Sequence, residues 1–381
     1  MSPTPVTFTS PVLPTAYAWE ATNEQVAERY GVPIDSIIRF DLNTSPTPPA
    51  LVDRLLAAGR FDAPLSEYPP SDYRRLTEAA ATRYGVGTDE LLVGAGADEI
   101  LDLVAKAFLA EGSRAVLPAP TYAMYRVLTE QRGAEINTVP RRPAAEGWAL
   151  DVGAVRAAAR GSSVVWLCSP NNPTGLAERD GTIEALLAGL ATDAAANGTE
   201  PPVVVLDEAY AEFVGTTLLP LRAAYPRLVV VRTASKAYAL AGLRVGFAIA
   251  KPEVIARMNP YRPPGSVSTV SVTVVTEALL DPSILEGNLA RVETERGRLA
   301  DGLTAAGWSV GPSVTNFLLV DFGSPERAAA TADGLLARGL VPRTFGMGNV
   351  LASYLRLTVR DPHENDRLIE AARQLSSENQ A

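Results

Sequence analysis

The chain has 381 residues, with 34 basic and 43 acidic side chains, a net charge of −9, and 47% apolar against 20% charged residues. That length predicts two or more structural units and a core large enough to need no disulfide staples. The acidic balance argues against a nucleic-acid or membrane-surface binder, and one histidine with one cysteine cannot assemble a zinc site from N and S ligands.

Residues 1–45 are rich in Pro, Thr and Ser and read as an arm carrying one short helix near Asn23–Tyr30. The opening Met1-Ser-Pro-Thr-Pro-Val lacks the charged and apolar regions of a signal peptide. No apolar run is long enough for a bilayer, and the lone Cys168 suits a reducing compartment, so a cytoplasmic protein is expected. From Ser71 the pattern alternates. Ser71–Tyr84 predicts a helix, Leu91–Val93 a brief strand stopping at Gly94-Ala-Gly96, and Ala97–Leu109 a helix with Ile100, Leu103, Val104 and Ala107 on one face. Strands are expected at Ala115–Leu117, Ile136–Val139, Ser163–Cys168, Val203–Leu206, Leu228–Val231 and Arg244–Ala250. Continuous apolar strands separated by helices predict an α/β fold with a mostly parallel sheet covered on both faces. A Pro/Gly break at 260–265 precedes two long helices, Val267–Leu280 and Pro282–Ala306. A smaller α+β unit then carries strands at Asn316–Asp321, Leu340–Arg343 and Tyr354–Val359 and a final helix. The expected organisation is an arm (1–45, with the small domain), a large domain (46–260) and a small C-terminal domain (261–381).

Lysine is scarce: Lys106, Lys236 and Lys251 stand among 34 basic residues, so each is conspicuous. Lys236 follows an apolar strand directly and sits among small and apolar residues, where desolvation favours the neutral, nucleophilic amine. Thr233 and Ser235 put hydroxyls beside it, and Arg244 a guanidinium eight residues on, a set suited to a ligand bearing an aldehyde and a phosphate. A snorkelling surface lysine is the plainer alternative. In Val203-Val-Val-Leu-Asp207, four apolar residues end in a carboxylate at the carboxyl end of a strand, where open α/β sheets place ligands. Such a buried charge wants a positive partner, a helix to cap or a metal. The phosphate loop Gly-x4-Gly-Lys-Ser/Thr that would support a nucleotide hydrolase is absent. Cys168-Ser-Pro-Asn-Asn-Pro-Thr-Gly175 runs a strand into a turn in which Asn172 can donate to a phenolic oxygen. Gly94-Ala-Gly-Ala-Asp98 opens a helix whose glycines and N-terminal amides suit a phosphate, although it is not the dinucleotide pattern Gly-x-Gly-x-x-Gly. Tyr122, after another strand, can stack on a flat ligand or fill a core.

Together these segments resemble the class I and II aminotransferases, fold-type I enzymes that use pyridoxal 5′-phosphate (PLP), and most of all the histidinol-phosphate aminotransferase group. The resemblance runs from Ile37 to Arg373, with the motifs in the family's order. It implies that Lys236 is the Schiff-base lysine, that Asp207 pairs with the ring nitrogen, that Tyr210 and Asn172 hold the ring hydroxyl, and that Tyr122 stacks on the ring. Ala97, Asp98, Thr233, Ser235 and Arg244 would surround the phosphate. Tyr68, in Glu67-Tyr-Pro-Pro70, matches a tyrosine that reaches the phosphate in the neighbouring subunit, which implies a homodimer. Arg356 matches the arginine that forks onto the substrate α-carboxylate. Arg343, Tyr17 and Asn43 match substrate-facing positions, and no metal is implied. The substrate-facing segments depart from the group's pattern: Tyr17-Ala-Trp-Glu20, Asn43-Thr-Ser-Pro46 and Pro263-Pro-Gly-Ser266 each differ, and Arg360 stands where a glycine is usual.

The leading expectation is therefore an aminotransferase acting on small molecules by a ping-pong cycle. An amino acid or amine, with histidinol phosphate or an aromatic amino acid favoured, gives its nitrogen to a 2-oxo acid. The alternatives are a decarboxylase or lyase of the same fold, resembling threonine-phosphate decarboxylase, and a catalytically silent relative.

Overall fold

The computed structural model describes residues 15–378; the first fourteen residues of the expected arm, with the opening segment read for a signal peptide, lie outside them. Helix α1 (Asn23–Tyr30) forms where the sequence places it. Thr22 and Gln25 close a capping box at its start, and Gly31, at φ 68°, ends it in the left-handed conformation that glycine adopts without strain. Strand β1 (Ile38–Arg39) and helix α2 (Ala50–Ala58), the latter not anticipated, lead to α3 (Arg74–Tyr84). Helix α3 starts three residues later than Ser71 because Tyr73 stands in the left-handed region at φ 46°.

The large sheet takes its seven strands in turn: β2 (Leu91–Gly94), β3 (Arg114–Ala119), β4 (Glu135–Pro140), β5 (Val164–Cys168), β6 (Val203–Asp207), β7 (Leu228–Thr233) and β8 (Gly246–Ile249). Their spatial order is β2-β8-β7-β6-β5-β3-β4. β8 runs antiparallel to both of its neighbours, and the remaining pairs of the sheet are parallel. It begins at Gly246 rather than Arg244, because Arg244 itself turns through the left-handed region at φ 52°. Helices α4 (Gly96–Phe108), α5 (Met124–Gln131), α6 (Val152–Ala158), α7 (Thr182–Ala196) and α8 (Pro252–Met258) cover the two faces.

The apolar strands split their side chains between two cores. Val204, Leu206, Leu228 and Val230 join one, whereas Val203, Val205, Val229 and Val231 join the other, as the period of two requires in a sheet buried on both sides. Helix α4 buries Ile100, Leu103, Val104 and Ala107 in the second core.

Beyond the Pro/Gly break, α9 (Thr269–Leu280) packs Val272, Val275 and Leu279 into the first core, against α3. This helix lies beyond the expected boundary at 261 and shares the large unit's core. A helix buried on nearly every side needs cover all round, and the large unit supplies it. A third core gathers only along α10 (Pro282–Ala305), where Leu299 and Leu303 meet Leu318 and Val320. It contains β9 (Ser309–Val310), β10 (Phe317–Asp321), α11 (Pro325–Leu336), β11 (Leu340–Val341), β12 (Tyr354–Thr358) and α12 (Pro362–Glu378). The N-terminal segment reaches it, with Ile38 in register with Leu340 in a parallel pair. Among the described residues no helix is long and apolar enough to cross a membrane.

Candidate active site

The carboxyl ends of β2, β3, β5, β6 and β7 and the amino end of β8 meet at one edge of the large sheet, facing β12. A cavity of about 440 Å³ lies there. Every candidate residue from the sequence lines it except Tyr68, which is 90% exposed and stands outside.

Lys236 lies on the loop after β7, enclosed by protein yet open to the cavity. Its Nζ donates to the Leu42 carbonyl at 3.4 Å and lies 6.0 Å from the centre of the Tyr210 ring. Burial pulls its pKa down to about 8; the Arg356 and Arg244 guanidiniums add to this, while Asp98 and Asp207 oppose it. The other two lysines are differently placed: Lys106 pairs with Asp102 along α4, and Lys251 stands at the start of α8.

Asp207, the last residue of β6, is in register with Cys168 on β5. Its Oδ2 accepts from the Tyr125 hydroxyl at 2.7 Å and its Oδ1 from the Ala209 amide at 3.0 Å. Burial nonetheless pushes its pKa up to about 6, against the pull of these two hydrogen bonds. Tyr125 is held by stacking on Trp166, with ring centres 5.4 Å apart. The sequence analysis gives Tyr125 no role, although its place three residues beyond Tyr122 is a signal that could have found it. Cys168 is buried and its thiol is pushed up to about 12, chiefly by desolvation, so it stays protonated.

At the far side of the cavity two glycines permit a close approach of backbone. A Cβ on Gly246 would lie 2.6 Å from the Ala97 nitrogen, and one on Gly96 would lie 2.5 Å from Arg244 Nη2. The first amides of α4, at Ala97 and Asp98, thereby face Arg244 and the hydroxyls of Thr233 and Ser235, which are themselves linked at 2.9 Å. Asp98 accepts from both Tyr122 (2.9 Å) and Arg244 (3.1 Å). Amides at a helix start, two hydroxyls and a guanidinium form a receptor for a phosphate. With an amine for an aldehyde and a buried carboxylate for a basic ring nitrogen, the set fits PLP.

The third group comes from the smaller unit. Arg356 on β12 is buried, and its hydrogen-bond partners are neutral: Nη1 donates to Asn172 Oδ1 at 2.6 Å and Nη2 to the Asp41 carbonyl. Its Nε has no partner. A buried guanidinium without a carboxylate is costly unless a ligand brings one. Asn172 spends its oxygen on Arg356, leaving its amide nitrogen to donate elsewhere. Tyr210 accepts from Asn43 Nδ2 at 3.0 Å, and Asn43, at φ 53°, is pinned by Thr358 Oγ1 and Asn316 Nδ2. Arg343 stands next to Arg356 through a bridge between strands, with its guanidinium over the Tyr17 ring at 5.3 Å. The sequence reading passed over Trp19 and Met124, which complete the wall around Tyr17 and Tyr122, because they carry no chemistry of their own.

The family profile for aminotransferase class I and II matches residues 38–371. A histidinol-phosphate aminotransferase of Symbiobacterium thermophilum is 36% identical over 344 residues, 89% of this chain and 90% of its own length. Another from Roseiflexus castenholzii is 36% identical over 363 residues, 93% of each chain. Among solved structures, histidinol-phosphate aminotransferase from Sinorhizobium meliloti in complex with pyridoxal-5′-phosphate superposes with a TM-score of 0.82 at 23% identity, covering 95% of this chain and 96% of that one. L-threonine-O-3-phosphate decarboxylase from Porphyromonas gingivalis shares the fold with a TM-score of 0.71 at 22% identity, covering 90% of this chain and 100% of that one. By profile, relatives and fold, the chain belongs to the class I and II aminotransferases, fold-type I transaminases whose cofactor is PLP.

Proposed function

We propose that the enzyme moves an amino group from an amino acid or amine to a 2-oxo acid in the two half-reactions of a ping-pong cycle, with histidinol phosphate or an aromatic amino acid as the favoured donor. One observation carries this reading: a lysine amine with its pKa near 8 stands in one cavity with a buried carboxylate and a buried guanidinium that lacks an anionic partner. PLP, when bound, supplies an aldehyde that takes up the amino nitrogen and a protonated ring that accepts the electron pair left at Cα.

The chain's own residues supply the rest. Lys236 would hold the aldehyde of the cofactor, and its amine, neutral once free, would take the Cα proton and return it. Asp207 would keep the ring nitrogen protonated, and that positive partner would relieve the burial of its carboxylate. Tyr210 and the free amide nitrogen of Asn172 would hold the ring oxygen, and Tyr122 would lie against the ring. Ala97, Asp98, Thr233, Ser235 and Arg244 receive the phosphate. Arg356 would take the α-carboxylate of an amino-acid donor, while Tyr17, Asn43 and Arg343 would surround the remainder of the donor. Tyr68 is assigned to the phosphate site of a neighbouring copy in a homodimer, in keeping with its exposure and its distance from its own cavity.

The relatives named histidinol-phosphate aminotransferase support the reaction class. A donor screen on the PLP-loaded enzyme tests the reading, with histidinol phosphate, phenylalanine and threonine phosphate as donors and both oxo product and carbon dioxide measured. Oxo product from either of the first two is expected. Carbon dioxide from threonine phosphate, with no oxo product from any donor, would replace transamination by decarboxylation.

A further inference from the structure

Four cationic side chains line the cavity, and their charges are not equally free. Arg244 is paired with Asp98 at 3.1 Å, and Lys236 shares the site with Asp207. Arg356 has only neutral hydrogen-bond partners. Arg343, like Arg244, has a carboxylate beside it, but one that does not hydrogen-bond to it. Its charge is met by Glu20, 3.5 Å away, a residue of the segment that runs past the cavity mouth before α1. Both side chains are about 85% shielded, with exposures of 15% and 16%.

The segment grips residues 343 and 344 together. Arg343 Nη1 donates to the Ala18 carbonyl at 2.7 Å, and its guanidinium lies over Tyr17. Glu20 Oε1 accepts from the Thr344 amide at 2.8 Å and from the Thr344 hydroxyl at 2.9 Å. The carboxylate is thus held by Thr344 and reaches Arg343 through charge, with no hydrogen bond at 3.5 Å. A ligand carboxylate or phosphate with well-aligned oxygens can make that bond and compete for the guanidinium. Around the pair the wall is aromatic: Tyr17 meets Trp19 edge-on with ring centres 4.9 Å apart, and Tyr122 at 6.4 Å.

We infer that Glu20 is a specificity-determining residue, an internal anion that occupies Arg343 while the donor's side chain is neutral and must yield when that side chain carries a negative charge. It biases the enzyme toward uncharged, aromatic side chains and handicaps donors with a distal carboxylate. The inference rests on the proposed transamination and on Arg343 facing the donor. Like charges brought to one guanidinium discriminate by repulsion as much as by lost attraction.

The test compares phenylalanine and glutamate as donors for the PLP-loaded wild type and for Glu20→Gln, Glu20→Asp and Thr344→Val. In Glu20→Gln the ratio of kcat/KM for glutamate to that for phenylalanine should rise roughly fivefold, mainly through KM, the worth of a partly shielded ion pair. Glu20→Asp, which keeps the charge, should stay near the wild-type ratio. Dissociation constants of two unreactive analogues, glutarate and 3-phenylpropanoate, followed by tryptophan fluorescence, should show the same shift without turnover. An unchanged ratio in Glu20→Gln, or an equal shift in Thr344→Val, would reduce Glu20 to an anchor for its own segment and overturn the inference. Failure of all donors in the wild type would instead bring down the transamination reading, a distinct outcome.

Discussion

Replacing Asp207 by asparagine removes a charge that the fold holds at a cost. The carboxyl pKa is pushed from 3.8 to about 6 by burial, with Cys168 as its strand neighbour, Tyr125 donating from α5, Asp98 facing it from α4 and Lys236 from the loop after β7. A shift of roughly two units corresponds to about 3 kcal/mol at 1.36 kcal/mol per unit. The sign follows from linkage. The folded protein keeps the Asp207 proton between pH 3.8 and about 6 whereas the unfolded chain releases it, so the stability contributed by the protonated group is present below 3.8 and lost as pH rises through 6. Asp207→Asn has no such proton to lose. The cofactor-free variant should therefore be more stable than the cofactor-free wild type, by a margin that grows from about pH 4 to pH 6 and levels near 3 kcal/mol above pH 7. Urea unfolding of both proteins at a series of pH values measures it. In the PLP-loaded enzyme the order reverses in function, because the ring nitrogen loses its carboxylate: turnover should fall severely while cofactor binding weakens but persists. A stability difference that is absent, or constant with pH, would show that the carboxylate carries no burial cost and refute the electrostatic reasoning.

Two further outcomes are expected. Lys236→Ala should abolish borohydride labelling by PLP and the associated visible absorbance; in the wild type, the rate of PLP incorporation should climb about tenfold per pH unit and level off above about pH 8, where the lowered Lys236 pKa lies. Labelling elsewhere by peptide mapping would remove Lys236 from its role. Gly246→Ala would bring a Cβ to 2.6 Å from the Ala97 nitrogen and force the start of α4 aside. It should cost roughly 1–3 kcal/mol in stability and weaken PLP affinity more than donor affinity, as read by urea unfolding and cofactor titration.

Much of this protein is written locally. Buried strands announce themselves as continuous apolar runs, and a single polar residue at the end of such a run, as at Asp207, Thr233 or Cys168-Ser-Pro, marks the ligand-facing edge of an open sheet. Lys236 stood out because lysine is rare here, and helices α1 and α4 carried their own caps and stripes. The chain alone thus determined the α/β class, the residues at the sheet edge and the chemistry they suit.

Only the tertiary structure decided who meets whom. Arg356 and Asn172 are 184 residues apart in sequence, Tyr210 and Asn43 are 167 apart, and Glu20 meets Thr344 across 324. No local pattern encodes such pairs, since each depends on how two units pack and on which elements cross. The same holds for the late start of α3 and of β8, where Tyr73 and Arg244 take left-handed backbone that neither residue prefers alone. Asp207 shows the division most sharply: its position was legible, but its raised pKa and its tie to Tyr125 arise from burial, a property of the folded molecule and not of the chain.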